Sequence, residues 1–87
     1  MEKNQLTENL FRLISSLKTA EDCEKLFNDM CTRKEIEQMA QRIYAASLLL
    51  EGKTYTQVTE MCDISSATLS RVSRCVQYGS GYATMLK

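Results

Sequence analysis

Apolar residues recur at intervals of three and four positions along most of this 87-residue chain. This spacing places them on one face of an α-helix. The chain contains no proline, so no residue forces a break inside these segments. The pattern predicts an all-α fold with apolar helix faces in residues 6–17, 23–30, 36–50, 58–62 and 69–76, and one more helical turn in the tail after residue 81.

Helix start and stop signals lie beside these apolar faces. Thr19 precedes two acidic residues, and Thr32 and Thr54 are each followed three positions later by Glu or Gln, which is the pattern of a capping box. Ser65 is a favourable N-cap for the last long helix, and Gly52 has the position of a glycine that ends a helix. The third helix is apolar on almost all sides in its final turns, which indicates burial on several sides.

The length and charge of the chain limit its organisation. We assign residues 1–87 to a single domain. A domain of this size buries little surface alone, and we therefore expect a homodimer. The 11 basic and 11 acidic residues give a formal net charge of zero, whereas domains that bind nucleic acid are usually basic. Any contact with DNA must then come from a local patch.

The composition argues against several classes of protein. Histidine, the commonest general base, is absent, and no glycine-rich phosphate loop is present, so we expect no enzyme. The cysteines at positions 23, 31, 62 and 75 lack metal-type spacing, and we interpret them as buried, reduced thiols of a cytoplasmic protein without a metal. No segment approaches the roughly 20 apolar residues of a membrane span, so we expect no membrane partner.

Residues 54–78 have the spacing of a helix-turn-helix motif. A capped helix of about two turns is followed by a turn at Asp63, by the apolar Ile64, and by a second capped helix at about residues 66–78. Thr59 is the small residue at which the two helices would cross. Asp63 stands where the motif prefers glycine and would adopt the left-handed conformation of the turn.

The second helix of this motif has the residue types of a DNA recognition helix. Its first turn is small and hydroxylated, which lets the backbone approach bases and lets hydroxyls bind phosphates, and two arginines follow. The alternative is that the serines only cap a helix that faces solvent. The candidate contacts to double-stranded DNA are Thr54, Thr56, Gln57, Ser65, Ser66, Ala67, Thr68, Ser70, Arg71 and Arg74.

Three blocks of the sequence resemble the trp repressor family, and more closely the trp-repressor-like regulators of the YerC/YecD type. These blocks are CTRKEIEQMAQR, LLLEGKTY and SSATLSRV, in the order and spacing of the family, and the resemblance extends over residues 10–82. It implies an intertwined helical homodimer in which the first helices of one chain pack on the other. It also implies a transcription regulator, acting as a repressor, whose two motifs face successive major grooves of a near-palindromic operator.

The chain departs from the trp repressor within the motif. The basic positions that the repressor uses in the first helix of the motif correspond to Gln57 and Glu60, and the turn is one residue shorter. The carboxylate of Glu60 would repel phosphate if it faced DNA. The preferred DNA sequence should therefore differ from the trp operator.

The resemblance also implies a candidate effector site. In the trp repressor, tryptophan lies between two arginines that match Arg42 and Arg71, and a threonine near the start of the long helix matches Thr32. Cys75 replaces a serine that helps to hold the amino group of the ligand, and a thiol is a weak hydrogen-bond partner. Val72 replaces a glycine and would intrude on the space for the indole ring.

Each matching residue also has an explanation that needs no ligand. Thr32 is an N-cap, Arg42 would pair with Glu37 or Glu51 or lie along apolar surface, and Arg71 would contact phosphate. We therefore expect no cofactor and no obligatory effector, with L-tryptophan or another small molecule as the alternatives.

Two functions fit the residues. The first is a sequence-specific, DNA-binding transcription regulator that acts as a homodimer. The second is a helical protein-interaction or scaffold dimer that does not use the motif for DNA. Zero net charge and Glu60 favour the second function, whereas Arg71 and Arg74 favour the first.

Overall fold

The computed structural model describes residues 1–86, which form six α-helices. The helices are α1 (Lys3–Ser15), α2 (Ala20–Met30), α3 (Arg33–Leu50), α4 (Tyr55–Met61), α5 (Ser66–Tyr78) and α6 (Gly81–Met85). This confirms the all-α fold that the apolar spacing predicts. Helix α5 has the bounds that the motif predicts, residues 66–78.

The chain divides into two compact units, Met1–Arg33 and Lys34–Lys87. The first unit contains α1 and α2. The second contains α4, α5, α6 and all of α3 except its first residue. The assignment of residues 1–87 to a single domain stays a prediction.

The first unit exposes apolar side chains on α1. The Thr19 hydroxyl accepts a hydrogen bond from the Asp22 N–H at 3.0 Å, which confirms Thr19 as the N-cap of α2. Neither α1 nor α2 contains a buried residue. Four apolar side chains of α1 are at least 36% exposed in the single chain: Leu6, Leu10, Phe11 and Leu13.

The second unit has a core to which three helices contribute. Residues of α3, α4 and α5 form it together, and Ile64 and Tyr82 pack against its edge. Burial raises the pKa of the Cys62 thiol at the end of α4, because a thiolate is poorly solvated there. Among the apolar residues predicted to face inward in the motif helices, Met61 is the exception, at 48% exposure. The buried residues are Ala45, Ala46, Leu48, Val58, Cys62, Leu69 and Val72.

The prediction that the four cysteines are buried is wrong within the single chain for three of them. Cys62 is buried as predicted, but Cys31 and Cys75 are half-buried and Cys23 is exposed. In the final turns of α3, Ala45, Ala46 and Leu48 are buried and Leu49 and Leu50 are half-buried, as predicted, whereas Tyr44 just before them is 44% exposed. Helical spacing identifies an apolar face, but it does not say whether the same chain covers that face.

Gly52 ends α3 in the left-handed conformation. Its φ is +91°, and its N–H donates to the Leu49 carbonyl at 3.0 Å while the Lys53 N–H donates to the Leu48 carbonyl at 3.0 Å. A Cβ at Gly52 would meet no atom within 4 Å. The requirement for glycine is therefore conformational rather than steric.

We expect Gly52→Ala to lower the free energy of unfolding by about 1 kcal/mol, because a Cβ makes the left-handed conformation costly. Urea unfolding measured at a fixed protein concentration gives this value. Gly81→Ala is the matched control, since a Cβ at Gly81 also meets open space but its φ is not positive. Equal losses in the two variants would contradict the conformational explanation.

Candidate nucleic-acid interface

The first helix of the motif begins at a complete capping box. The Thr54 N–H donates to Oε1 of Gln57 at 2.9 Å, and the Gln57 N–H donates to the Thr54 hydroxyl at 3.2 Å. This confirms the capping box predicted for residues 54–57. The Thr54 and Gln57 side chains thus hold the start of α4, while the side chain of Thr56 is exposed beside them.

The second helix of the motif begins at Ser65. Its hydroxyl accepts a hydrogen bond from the Thr68 N–H at 3.2 Å and donates one to the Thr68 hydroxyl at 2.9 Å. Ser65 is thereby confirmed as the N-cap of α5. The next turn, at Ser66 and Ala67, is exposed, so the helix begins with a surface of small side chains.

Helix α5 has one buried face and one exposed face. Leu69 and Val72 are 1% and 2% exposed and form the inner face. Ala67, Arg71 and Arg74 are exposed, and their spacing of four and three residues places them in one row on the opposite side. The ion pairs within residues 1–86 join side chains of α1 or of α2, and neither arginine of α5 takes part. Both guanidinium groups therefore face solvent without a carboxylate partner.

The turn between α4 and α5 differs from the predicted one. The left-handed conformation expected for Asp63 is wrong, because no residue other than glycine has a positive φ within residues 1–86. Cys62 is extended instead, with φ −120° and ψ 146°. The N–H of Asp63 donates to Oε1 of Gln41 at 3.0 Å. An extended turn tied to α3 needs no glycine.

The helix crossing expected at Thr59 is also wrong. Its side chain is exposed, and its hydroxyl donates to the carbonyl of Thr56 at 2.9 Å. Val58 is fully buried in the contact of α4 with the core. The small size of Thr59 is therefore unrelated to packing between the two helices.

A cleft of about 430 Å³ lies beside the two arginines of the candidate effector site. Arg42 on α3 and Arg71 and Cys75 on α5 line it together, so the structure joins three of the four residues matched by sequence. The fourth, Thr32, belongs to the first unit. Tyr82 of α6 is a further wall residue that the sequence did not assign to this site. The five-residue helix that carries it is too short for its apolar face to be recognised by periodicity.

One expectation about this cleft is wrong, and one of the two alternatives for Arg42 is excluded. Val72 does not intrude on it, because its side chain lies in the core at 2% exposure. In the described part of the chain Arg42 forms no ion pair with Glu37 or Glu51, so of its two expected arrangements the one along apolar surface, beside Met39 and Ile43, is left. Arg42 is half-buried and lines the cleft.

Two structural observations concern a membrane and a metal ion as partners. Across residues 1–86, none of the helices combines the length and the apolar character needed to cross a bilayer. The same residues contain no group of three or more His, Cys, Asp or Glu side chains arranged to hold a metal ion.

A capped helix, a short turn and a second capped helix with an exposed face of hydroxyls and arginines define a helix-turn-helix protein. The chain belongs to the Trp repressor protein family, whose sequence model matches residues 5–87. This confirms the resemblance seen in the three sequence blocks.

Similar proteins agree with the family. The protein YerC of Bacillus subtilis (strain 168) is 45% identical over 73 residues, which cover 84% of this chain and 70% of YerC. A TrpR-like protein of known structure from Eubacterium eligens ATCC 27750 is 41% identical, with a TM-score of 0.86 over 93% of this chain and 84% of that one. A candidate Trp repressor from Staphylococcus aureus is 34% identical, with a TM-score of 0.87 over 99% of this chain and 91% of that one.

Proposed function

We propose that this protein is a sequence-specific, DNA-binding transcription regulator that represses as a homodimer on a near-palindromic operator. The observation that carries the proposal is the exposed face of α5. Small residues occupy its first turn, and the unpaired guanidinium groups of Arg71 and Arg74 follow one and two turns later. A recognition helix that enters the major groove by its N-terminus has these features.

Local charge supports the same surface despite the neutral chain. Residues 52–87 contain four basic and two acidic residues, whereas the whole chain is balanced. The arginines of α5 lie in one row, so their charges act on the same stretch of phosphates. Ser66, Ala67 and Ser70 then lie where base edges would be read, and Thr56 lies at the exposed start of α4.

The apolar surface of the single chain supports a homodimer. Leu6, Phe11 and Leu13 of α1 are 49–63% exposed, and Ile43 of α3 is 50% exposed. Apolar side chains exposed to this extent, in each of the two units, are costly in water and are usually covered by a partner. A second copy of the chain would also supply the second recognition helix that a palindromic site requires.

We propose further that DNA binding needs no small effector. Cys75 offers a thiol where the trp repressor has a hydroxyl, and Tyr82 already lines the cleft between the arginines. L-tryptophan or another small molecule in this cleft is the alternative.

The test is selection of binding sites from a random pool of DNA duplexes by the full-length chain, with and without L-tryptophan. We expect one near-palindromic site in both conditions, with half-sites about 34–36 Å apart. Sedimentation should give the mass of a dimer. A site recovered only with L-tryptophan would contradict effector-free binding, and no enrichment with or without it would contradict the function itself.

A second candidate function rests on the exposed carboxylate of Glu60. It lies on α4 beside the proposed interface, and together with zero net charge it favours a scaffold dimer that does not bind DNA. The salt dependence of binding to random-sequence DNA separates the two functions. A DNA-binding dimer should lose affinity steeply as salt rises, whereas a scaffold should bind negligibly at any salt concentration.

A further inference from the structure

One side chain of α3 holds the turn that precedes α5. The Gln41 side chain is the acceptor for the N–H of Asp63, at 3.0 Å and across 22 positions of sequence. Helix α4 makes its last backbone bond one residue earlier, from the Cys62 N–H to the Val58 carbonyl at 2.8 Å. The N–H of Asp63 is thus the first donor beyond the helix, and α3 rather than the turn itself supplies its acceptor.

Gln41 is held on a rigid part of the molecule. It lies four and seven residues before Ala45 and Leu48, which places the three on one face of α3. Ala45 and Leu48 are buried at 0% and 4% exposure in the core that α4 and α5 share. Ile64, the residue after Asp63, packs against the same core. The turn is therefore fixed at two consecutive residues, by a hydrogen bond at Asp63 and by apolar packing at Ile64.

The fixed turn leads directly into the recognition helix. Ser65, which caps α5, follows Ile64, and a polar notch of about 220 Å³ is lined by Gln41, Asp63, Ser65 and Thr68. The turn contains no glycine and lacks the left-handed residue that commonly closes this motif. Instead, the side-chain amide of Gln41, on the neighbouring helix α3, holds the turn in place.

We propose that Gln41 is a positioning residue for sequence recognition: its bond to Asp63 sets the angle at which the first turn of α5 meets the bases. This inference rests on the proposed DNA-binding function. Contacts to phosphate tolerate small rotations of a helix, whereas contacts to base edges do not. Loss of the bond should therefore lower the affinity for the selected site more than the affinity for random-sequence DNA.

The experiment compares Gln41→Leu, which keeps the size of the side chain without an acceptor, with Gln41→Glu, which keeps an acceptor. Gln38→Ala is the matched control, since Gln38 lines the same notch but does not bond to the turn. We expect Gln41→Leu to lower the ratio of specific to non-specific affinity by roughly fivefold per subunit, the size of one net hydrogen bond, and hence by about 25-fold for the homodimer. Gln41→Glu and Gln38→Ala should keep this ratio, even where added negative charge weakens all binding.

Amide hydrogen exchange at Asp63 gives a second readout that does not involve DNA. We expect faster exchange at this amide in Gln41→Leu and wild-type protection in Gln41→Glu. Unchanged protection, or equal losses of specific and non-specific affinity, would overturn the proposal while leaving the DNA-binding function intact. If the wild-type chain selects no site, the proposed function fails and the positioning role fails with it.

Discussion

Leu69→Ala should lower the free energy of unfolding by about 2–5 kcal/mol, the usual cost of removing a buried leucine side chain. Leu69 is 1% exposed, and together with Val58 and Val72 it is one of the largest fully buried side chains. The free energy of unfolding of a small domain is only about 5–15 kcal/mol. The variant should therefore unfold at a much lower urea concentration and lose a large part of its stability.

The matched control for this variant is Ser70→Ala, one residue further along α5. Its side chain is exposed, so the change should alter the free energy of unfolding by less than about 0.5 kcal/mol. Both variants must be measured at the same protein concentration, because association stabilises a dimer by mass action. A loss below about 1 kcal/mol for Leu69→Ala would contradict the tight packing of α5 on the core.

Much of the fold could be predicted because the signals are local. Apolar spacing gave the helices, and the caps at Thr19, Thr54 and Ser65 form the hydrogen bonds that their sequence patterns predict. Gly52 adopts the positive φ expected of a glycine that ends a helix. Each of these features depends on residues within one turn of each other.

The features that the sequence did not predict depend on residues far apart in the chain. The bond between Gln41 and Asp63 spans 22 residues, and neither residue type indicates the other as its partner. A turn without glycine predicts a left-handed Asp63 unless a distant residue supplies an acceptor for its N–H, as Gln41 does. The place of Tyr82 beside Arg42 and Arg71 likewise depends on how α6 packs against the core.

The candidate DNA contacts could be predicted as a group but not by role. The structure confirms that Ser65 and Thr54 are caps, so their hydroxyls already have partners within the chain. The exposed row on α5 follows from the same helical spacing that buries Leu69. The sequence does not say which of these side chains would contact bases and which would contact phosphates. That depends on the angle at which α5 enters the groove, and residues far from α5 in the chain set this angle.

The double substitution of Arg71→Ala and Arg74→Ala should have the largest effect on DNA binding. Each arginine that neutralises a phosphate contributes about 0.9 to the slope of log affinity against log salt. Because a homodimer has both residues twice, the slope should fall by about 3–4, and affinity at ~0.1 M salt should fall at least tenfold. Fluorescence anisotropy with the selected duplex and with a random duplex, over a series of salt concentrations, measures both quantities.

The matched control removes the same charge from the first unit. Lys3→Ala with Lys18→Ala also takes two positive charges from exposed positions that form no ion pair within residues 1–86, so both double variants change the formal charge from zero to −2. If α5 contacts the DNA, only the arginine variant should show a smaller slope of log affinity against log salt, and it should do so on both duplexes. Equal losses in the two variants would mean that net charge alone governs binding, and an unchanged slope in the arginine variant would exclude this face of α5 as the interface. A local basic row would let a chain of zero net charge bind DNA as proposed, because phosphates respond to charges within about one Debye length.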